Sequence, residues 1–405
     1  MSCHSDLIVL GGGCAGLSLG MNLTKFGENS PRTTILEGRT HYTNDRTWCF
    51  WGGLGSDSEE FATHRWESFS ITTNKAGITR HCEETPYLMV SSKDFYQTAQ
   101  RLIYESPRID LKLGSLITGE IFKRKGLWYV STPSGEYSAP WVVDTRPGSF
   151  PLEHHSAASN PMLWQSFLGE ELTTEEDLFD PGCVELMDFS GSLPETILFL
   201  YVLPFSKREA LVEATVFGPR PLRAEELEEP LRSLTKNRLH GIQALSGRRE
   251  HGILPMGTKE TIGRMKQQAE DFGNDPSYVR AGLMAGGARP SSGYAFQRIW
   301  KWSQECAVSL ITGKPPKPHP HDHPLTRAMD ALFLRVLSSY PELAPDLFFS
   351  LFAKVDPARV ARFMNDQGTL SDCAAIMASL PPTPFLQEIA TAAGLPFGKR
   401  KSHIP

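Results

Sequence analysis

The stretch Asp6-Leu7-Ile8-Val9-Leu10-Gly11-Gly12-Gly13-Cys14-Ala15-Gly16 decides the reading of the chain. Asp6 to Leu10 is a short β-branched and aliphatic run, the mark of a buried parallel strand. The glycines of a GxGxxG turn follow at Gly11, Gly13 and Gly16. The first permits a tight turn, the second lets a pyrophosphate approach the backbone, and the third lets helix and strand pack closely. A helical stretch runs from Ala15 to about Lys25 and is ended by Gly27 and Pro31. Its N-terminus offers free N–H groups and partial positive charge to phosphates. Thr33-Thr34-Ile35-Leu36-Glu37 is the next strand. Together these form one β-α-β unit of ordinary size.

Glu37 ends the second strand, roughly twenty residues beyond the glycine turn, where a carboxylate accepts hydrogen bonds from a ribose hydroxyl. An acid there argues against a 2′-phosphate, so the unit suits FAD or NAD rather than NADP. FAD is the expectation, because the unit opens the chain and a second segment supports it. Val142-Val143-Asp144-Thr145-Arg146 reads as a strand ending in an acid, Asp144, as in many two-domain flavoproteins.

A length of 405 residues suggests two or three lobes. With 41 Lys and Arg against 46 Asp and Glu, the net charge of -5 gives no electrostatic case for nucleic acid. The seven cysteines are scattered and contain no CxxC pair, unlike a disulfide scaffold or a zinc site. The N-terminus has no signal-peptide pattern and no run is long enough to span a bilayer, so a cytoplasmic setting is expected, with peripheral membrane contact left open.

Along the middle of the chain, Trp128 to Val130 and Trp141 to Val143 read as strands. Ile197 to Leu203 and Ala210 to Phe217 read as an antiparallel pair joined through Pro204 to Arg208. Residues 294 to 312 read as a helix, and 313 to 324, with repeated prolines, as an irregular connector. Leu325 to Leu337, Ala344 to Lys354, Pro357 to Asn365 and Leu370 to Leu380 carry apolar residues at helical spacing. The expected fold class is α/β. A FAD-binding Rossmann-like domain of the glutathione-reductase and hydroxybenzoate-hydroxylase type occupies 1–150 and 275–312. A mixed antiparallel-sheet substrate domain occupies 151–274, and a helical region 325–405. His319, His321 and His323 alternate with proline, which suits an exposed loop better than a metal site, and no metal is expected. His154-His155 has no identifiable partners, and Lys399-Arg400-Lys401 reads as a solvated tail.

Three further stretches resemble the lycopene cyclases, the soluble flavin-dependent carotenoid cyclase family. Asp45-Arg46-Thr47-Trp48-Cys49-Phe50-Trp51 is similar to the family's Asn-His-Thr-Trp-Ser-Phe segment. Leu211-Val212-Glu213-Ala214-Thr215 is similar to its Phe-Leu-Glu-Glu-Thr segment. Ala285-Gly286-Gly287-Ala288-Arg289-Pro290-Ser291-Ser292-Gly293-Tyr294 is similar to its glycine-rich segment ending in Pro-Ser-Thr-Gly-Tyr. The helical tail adds to the likeness, which covers nearly the whole chain. The resemblance implies an isomerisation: a proton adds to a terminal double bond of a polyene, the carbocation closes a six-membered ring, and a proton leaves. It also implies reduced FAD, with NAD(P)H as reductant and no net electron transfer. The apolar carotenoid substrate implies peripheral membrane contact. The alternative is a FAD-dependent monooxygenase or oxidoreductase acting on a polyene or another apolar molecule. Ala285-Gly286-Gly287 stands where aromatic hydroxylases commonly carry Gly-Asp-Ala, which counts against hydroxylation.

Such chemistry needs a strong acid in a dry pocket, and a buried Glu stays protonated near neutral pH. It also needs cation stabilisation without a trapping nucleophile, which aromatic faces and an anionic flavin supply. Glu213, on an otherwise apolar strand, is the candidate acid or cation-stabilising carboxylate; by alternation it shares a face with Leu211, Thr215 and Phe217. Ala214 stands where the family has its second acid, a departure that bears on both the catalytic assignment and the choice of polyene. Asp188 resembles a second acidic segment, and its ordinary reading is an Asp at the turn before Ser190-Gly191-Ser192. Gly286, Gly287 and Gly293 are expected to admit the flavin ring, with Gly11, Gly13, Gly16, Glu37, Arg46 and Asp144 as the other cofactor contacts. Trp48, Phe50, Trp51, Tyr294 and Phe296 are candidates to line a polyene tunnel, or plain core.

Overall fold

A computed structural model describes residues 3–147, 163–191, 196–257 and 275–394. The paired histidines at 154–155 and the basic tail at 399–401 lie outside the described residues.

The opening β-α-β unit forms as read, with strands Leu7–Leu10 and Thr33–Leu36 around the helix Cys14–Thr24. These strands sit at the centre of a five-stranded sheet in the order 278–280, 141–144, 7–10, 33–36, 109–112. Every pairing in it is parallel. The four residues of Leu7–Leu10 are all fully buried, which is why the segment reads as a continuous apolar run. The helices Ser92–Tyr104 and Phe296–Ile311 complete this lobe and share its core with Leu17, Phe95, Ile299 and Trp300.

The second lobe is a seven-stranded sheet in the order 244–256, 163–174, 209–218, 197–204, 183–188, 68–72, 77–81. The expected hairpin is present as Ile197–Pro204 against Glu209–Gly218. Its pairings are antiparallel except that of 183–188 with 68–72. Assigning 1–150 to the nucleotide lobe therefore needs correction. Residues 68–81 cross over to extend the other sheet, and that pairing leaves no local mark in sequence.

Strand alternation splits this sheet's side chains between two cores. Leu198, Leu200, Val202, Val212, Ala214 and Val216 pack with the helix Ala224–Leu239. Phe199, Leu203, Leu211 and Phe217 face the opposite way, towards Phe348, Leu351 and Phe352 of the C-terminal helices. Those helices run Pro324–Ser339, Ala344–Lys354, Pro357–Met364, Leu370–Ser379 and Pro382–Ala392. The first four match the sequence reading, and the fifth extends it.

Arg289 joins the glycine-rich segment to this helical region. It is fully buried and ion-pairs with Asp330 at 3.2 Å and Asp366 at 3.1 Å, while its guanidinium also donates to the Phe363 carbonyl and lies over the Phe363 ring. Removing one partner of such a pair strands the other as an uncompensated buried charge. Arg289→Met should therefore cost about 3–5 kcal/mol. Urea unfolding would read this as a lowered midpoint, and an unchanged midpoint would show the pair to be dispensable.

Candidate active site

The lobes meet around a cavity of about 1070 Å³, at the upper end of ligand-pocket sizes and large enough for a cofactor beside a substrate. Its two ends differ in chemistry.

One end is the glycine turn. Gly11 has φ +94° and Gly13 caps the helix at residue 14 with no side chain over the helix end. The first-turn N–H groups are therefore left for a ligand. A Cβ at Gly13 would meet nothing within 4 Å, whereas one at Gly16 would lie 2.0 Å from the Gly11 carbonyl oxygen. Gly13 thus opens the turn to the cavity, and Gly16 lets the helix close on the strand. The Thr145 hydroxyl, within donating distance of the Leu10 and Gly11 carbonyls (2.9 Å each), ties the turn to the strand Trp141–Asp144. Glu37 lines the cavity beside it and accepts from the Gly12 N–H at 2.7 Å and from Arg39. Burial pushes its carboxyl up, but hydrogen bonds and charge from Arg39 outweigh that and hold it below the ordinary Glu value. Arg39 also bonds Asp45 and lies over the rings of Tyr42 and Tyr96, a cavity-edge cluster that sequence reasoning missed. This end fits a dinucleotide.

Arg46 also lines this end. Asp144 is buried in the wall, but Arg146 takes both its oxygens at 2.9 and 3.0 Å and the Tyr278 hydroxyl adds a bond at 2.8 Å, so it acts chiefly on Arg146. Gly293, with φ +73°, lines the cavity, while Gly286 and Gly287 do not. The backbone at that wall is Gly282 and Leu283 instead, because the chain folds back there: a Cβ at Gly287 would lie 2.7 Å from the Gly282 oxygen. His319 is buried rather than exposed as expected, and its Nε2 accepts from the Gly282 N–H at 2.9 Å. His323 accepts from the Leu325 N–H at a helix start, and no cluster among the described residues suits a metal.

The other end is apolar and aromatic. Trp48, Phe167, Phe199, Phe217, Tyr294, Phe296 and Phe352 line it. Phe50 and Trp51 are fully buried and belong to the cores instead. The Tyr201 hydroxyl donates to that of Tyr87 at 3.0 Å, and Tyr87 lies 3.0 Å from the Tyr294 hydroxyl.

Glu213 stands in this wall, 7% exposed, with Thr215 and Phe217 on the same face. Burial, the charge of Glu250 and a hydrogen bond to Glu250 push its carboxyl well above the ordinary Glu value, against the opposing charge of Arg248. Glu250, 4% exposed, was not singled out in the sequence, because Arg248-Arg249-Glu250-His251 looks like a charged surface run. Asp188 is not part of the site. It ends the strand Cys183–Asp188, accepts from the Ser190 N–H at 2.9 Å and does not line the cavity, so a turn holds the side chain. Ala214 faces the helix-packed core on the reverse of the sheet.

A family profile described as lycopene cyclase protein matches residues 6–390. The chain belongs to the lycopene cyclase family. No curated protein matches it significantly. Solved structures share the fold of this family member. A geranylgeranyl bacteriochlorophyll reductase-like protein from Thermoplasma acidophilum is 14% identical with a TM-score of 0.56, over 97% of this chain and 98% of that one. The p-nitrophenol 4-monooxygenase PnpA from Pseudomonas putida is 14% identical at 0.52, over 98% and 99%. Halogenase PltM, solved with phloroglucinol and FAD, is 13% identical at 0.57, over 97% and 93%. The architecture is therefore that of flavin-dependent monooxygenases and halogenases.

The raised carboxyl of Glu213 has a thermodynamic consequence. Its folded value lies above its unfolded value, so the folded state holds an extra proton between the two. The stability that proton contributes is fully present below the ordinary Glu value and is lost as pH rises through the raised value. Glu213→Gln should flatten this decline in a series of urea unfolding curves across pH. An equally steep decline in the variant would place the titration elsewhere.

Proposed function

We propose that the protein is a flavin-dependent, non-redox cyclase that converts a terminal ψ-type end of lycopene or a related polyene into a cyclohexenyl ring. The observation that carries this reading is a buried carboxyl, Glu213, pushed well above the ordinary Glu value by burial and by Glu250, in an aromatic wall continuous with a dinucleotide cradle. Family membership and the FAD bound by halogenase PltM support it.

The Gly11 to Gly13 turn, the N-terminus of the helix Cys14–Thr24, Glu37 and Arg46 would hold FAD. Reduced beforehand by NAD(P)H, that cofactor would supply negative charge to the wall of the pocket. The chain's residues do the rest. Glu213 gives its proton to the terminal double bond, leaving a tertiary carbocation and a carboxylate. The cation closes on a neighbouring double bond, and a ring proton returns to the carboxylate, so mass and electrons are conserved. The faces of Trp48, Phe199 and Phe217 stabilise positive charge and offer no lone pair to trap it. The apolar lining keeps out water that would turn the cation into an alcohol.

A polyene substrate partitions into bilayers, so peripheral contact with the cytoplasmic face of a membrane is part of the proposal. Among the described residues no helix is long and apolar enough to cross a membrane. Leu370, Met377, Leu386 and Ile389 are exposed on the last two helices, which supports surface contact.

Anaerobic incubation of the FAD-loaded protein with dithionite and lycopene-loaded liposomes should give a product of unchanged mass and blue-shifted absorbance. Glu213→Gln should lower turnover by about 10²–10⁴-fold, the range of general acid catalysis, without loss of flavin. In a parallel aerobic assay with NAD(P)H in place of dithionite, product carrying added oxygen, or NAD(P)H consumed in proportion to product, would replace the cyclase by an oxygenase or oxidoreductase.

A further inference from the structure

We propose that Glu250 is a positioning residue of this centre: its carboxylate reaches Glu213 across Gly169, the two share one proton, and Glu250 keeps that proton on Glu213. The inference rests on the reading of Glu213 as the acid. It assigns the origin of that acid's proton.

The register of the seven-stranded sheet sets the pair. Tyr201 is opposite Glu213, Glu213 is opposite Gly169, and Gly169 is opposite Glu250. Residues directly opposite share a face, so all four belong to one row. Glu213 and Glu250 sit two strands apart, about 10 Å between backbones, and must lean towards each other to interact. Gly169 makes that possible. A Cβ there would lie 2.6 Å from Glu213 Cγ and 3.2 Å from its Oε1, so the Glu213 side chain occupies the space a side chain at 169 would fill.

The surroundings decide which carboxyl is ionised. Glu250 Oε2 accepts from the Thr47 hydroxyl at 2.9 Å and from the Arg248 guanidinium. Arg248 also bonds Glu171 at 2.8 Å, so two carboxylates already engage its charge. Glu250 Oε1 is buried without a donor in close range among the described residues, the place for a proton carried by Glu213. The other titratable groups around the pair are Tyr201 and Cys49, both held neutral by burial. Two buried carboxyls that share a hydrogen bond disfavour double ionisation, and Glu250 raises Glu213 by both its charge and that bond. Arg248 and Thr47 occupy one oxygen of Glu250, whereas Glu213 has no cation bonded to it among the described residues and is the carboxyl pushed up by burial. Thr47 begins the strand that carries Trp48 and Cys49 into the cavity, so the same contact fixes the wall opposite the acid.

The test is an infrared pH titration of the full-length protein, following the C=O stretch of a protonated carboxyl, with turnover measured in parallel on the FAD-loaded protein. Wild type should keep a band that persists well above the ordinary Glu range, and Glu213→Gln should remove that band. Glu250→Gln removes the repulsion but keeps the volume, and should move the loss of the band to lower pH. Its kcat at neutral pH should fall by about 10²-fold, recover on acidification and leave KM unchanged, since proton transfer by a positioned acid contributes on that order. Gly169→Ala keeps both carboxyls but forces them apart, and should shift the band in the same direction, which serves if Glu250→Gln does not fold. A band absent from wild type, or one whose titration neither variant moves, overturns the proposal. The infrared readings need no substrate, so failure to cyclise lycopene would leave them standing and count against the cyclase reading alone.

Discussion

The repulsion between Glu213 and Glu250 is the constraint around which the cavity wall is arranged. Two carboxylates removed from water gain nothing from each other until one takes a proton. Burying either is costly unless its remaining lone pairs are met. The structure answers with Arg248 and Thr47 on Glu250 and leaves Glu213 facing the apolar space. The raised carboxyl of Glu213 follows from burial and from where the neighbouring charges are held, with no unusual residue involved.

That arrangement depends on the two lobes meeting. Thr47 and the strand Thr47–Trp51 belong to a small three-stranded sheet, whereas Glu213, Glu250 and Gly169 belong to the seven-stranded sheet. The hydrogen bond from Thr47 to Glu250 crosses between them. On the far side, Arg289 fastens the segment ending at Gly293 and Tyr294 to the C-terminal helices through Asp330 and Asp366. His319 fixes Gly282 at the same boundary. Buried polar contacts thus hold the cavity walls at a fixed distance, where apolar packing alone tolerates sliding.

The parts legible in sequence were those set by short-range geometry. The glycine turn, its flanking strands and Glu37 lie within about one β-α-β unit, and each glycine has a steric reason that does not depend on the rest of the chain. Glu213 was legible because a charge on an apolar strand is conspicuous. Glu250 was hidden among Arg248, Arg249 and His251, and only the register across three strands shows that it faces Glu213. Asp188 misled because a strand-end Asp that closes a turn resembles a catalytic Asp in one dimension. Gly287 carries a similar ambiguity. A glycine needed for a backbone fold-back looks the same in sequence as one needed for a ligand. The crossing of residues 68–81 into the second sheet is a long-range parallel pairing with 183–188, and periodicity carries no information about such partners.

The replacement of the family's second acid by Ala214 takes on a definite meaning in this geometry. Successive residues on a strand point to opposite faces, so position 214 cannot share the cavity with 213. A carboxylate there would enter the apolar core formed by Leu168, Leu198 and Leu227. Glu213's own row, by contrast, can bring a second carboxylate directly beside it. The positions opposite it are Tyr201 on one side and Gly169 on the other, and the next beyond the glycine is Glu250. Alanine at 214 therefore leaves the pairing of Glu213 with Glu250 untouched, because that neighbour is supplied across the sheet and not along the strand.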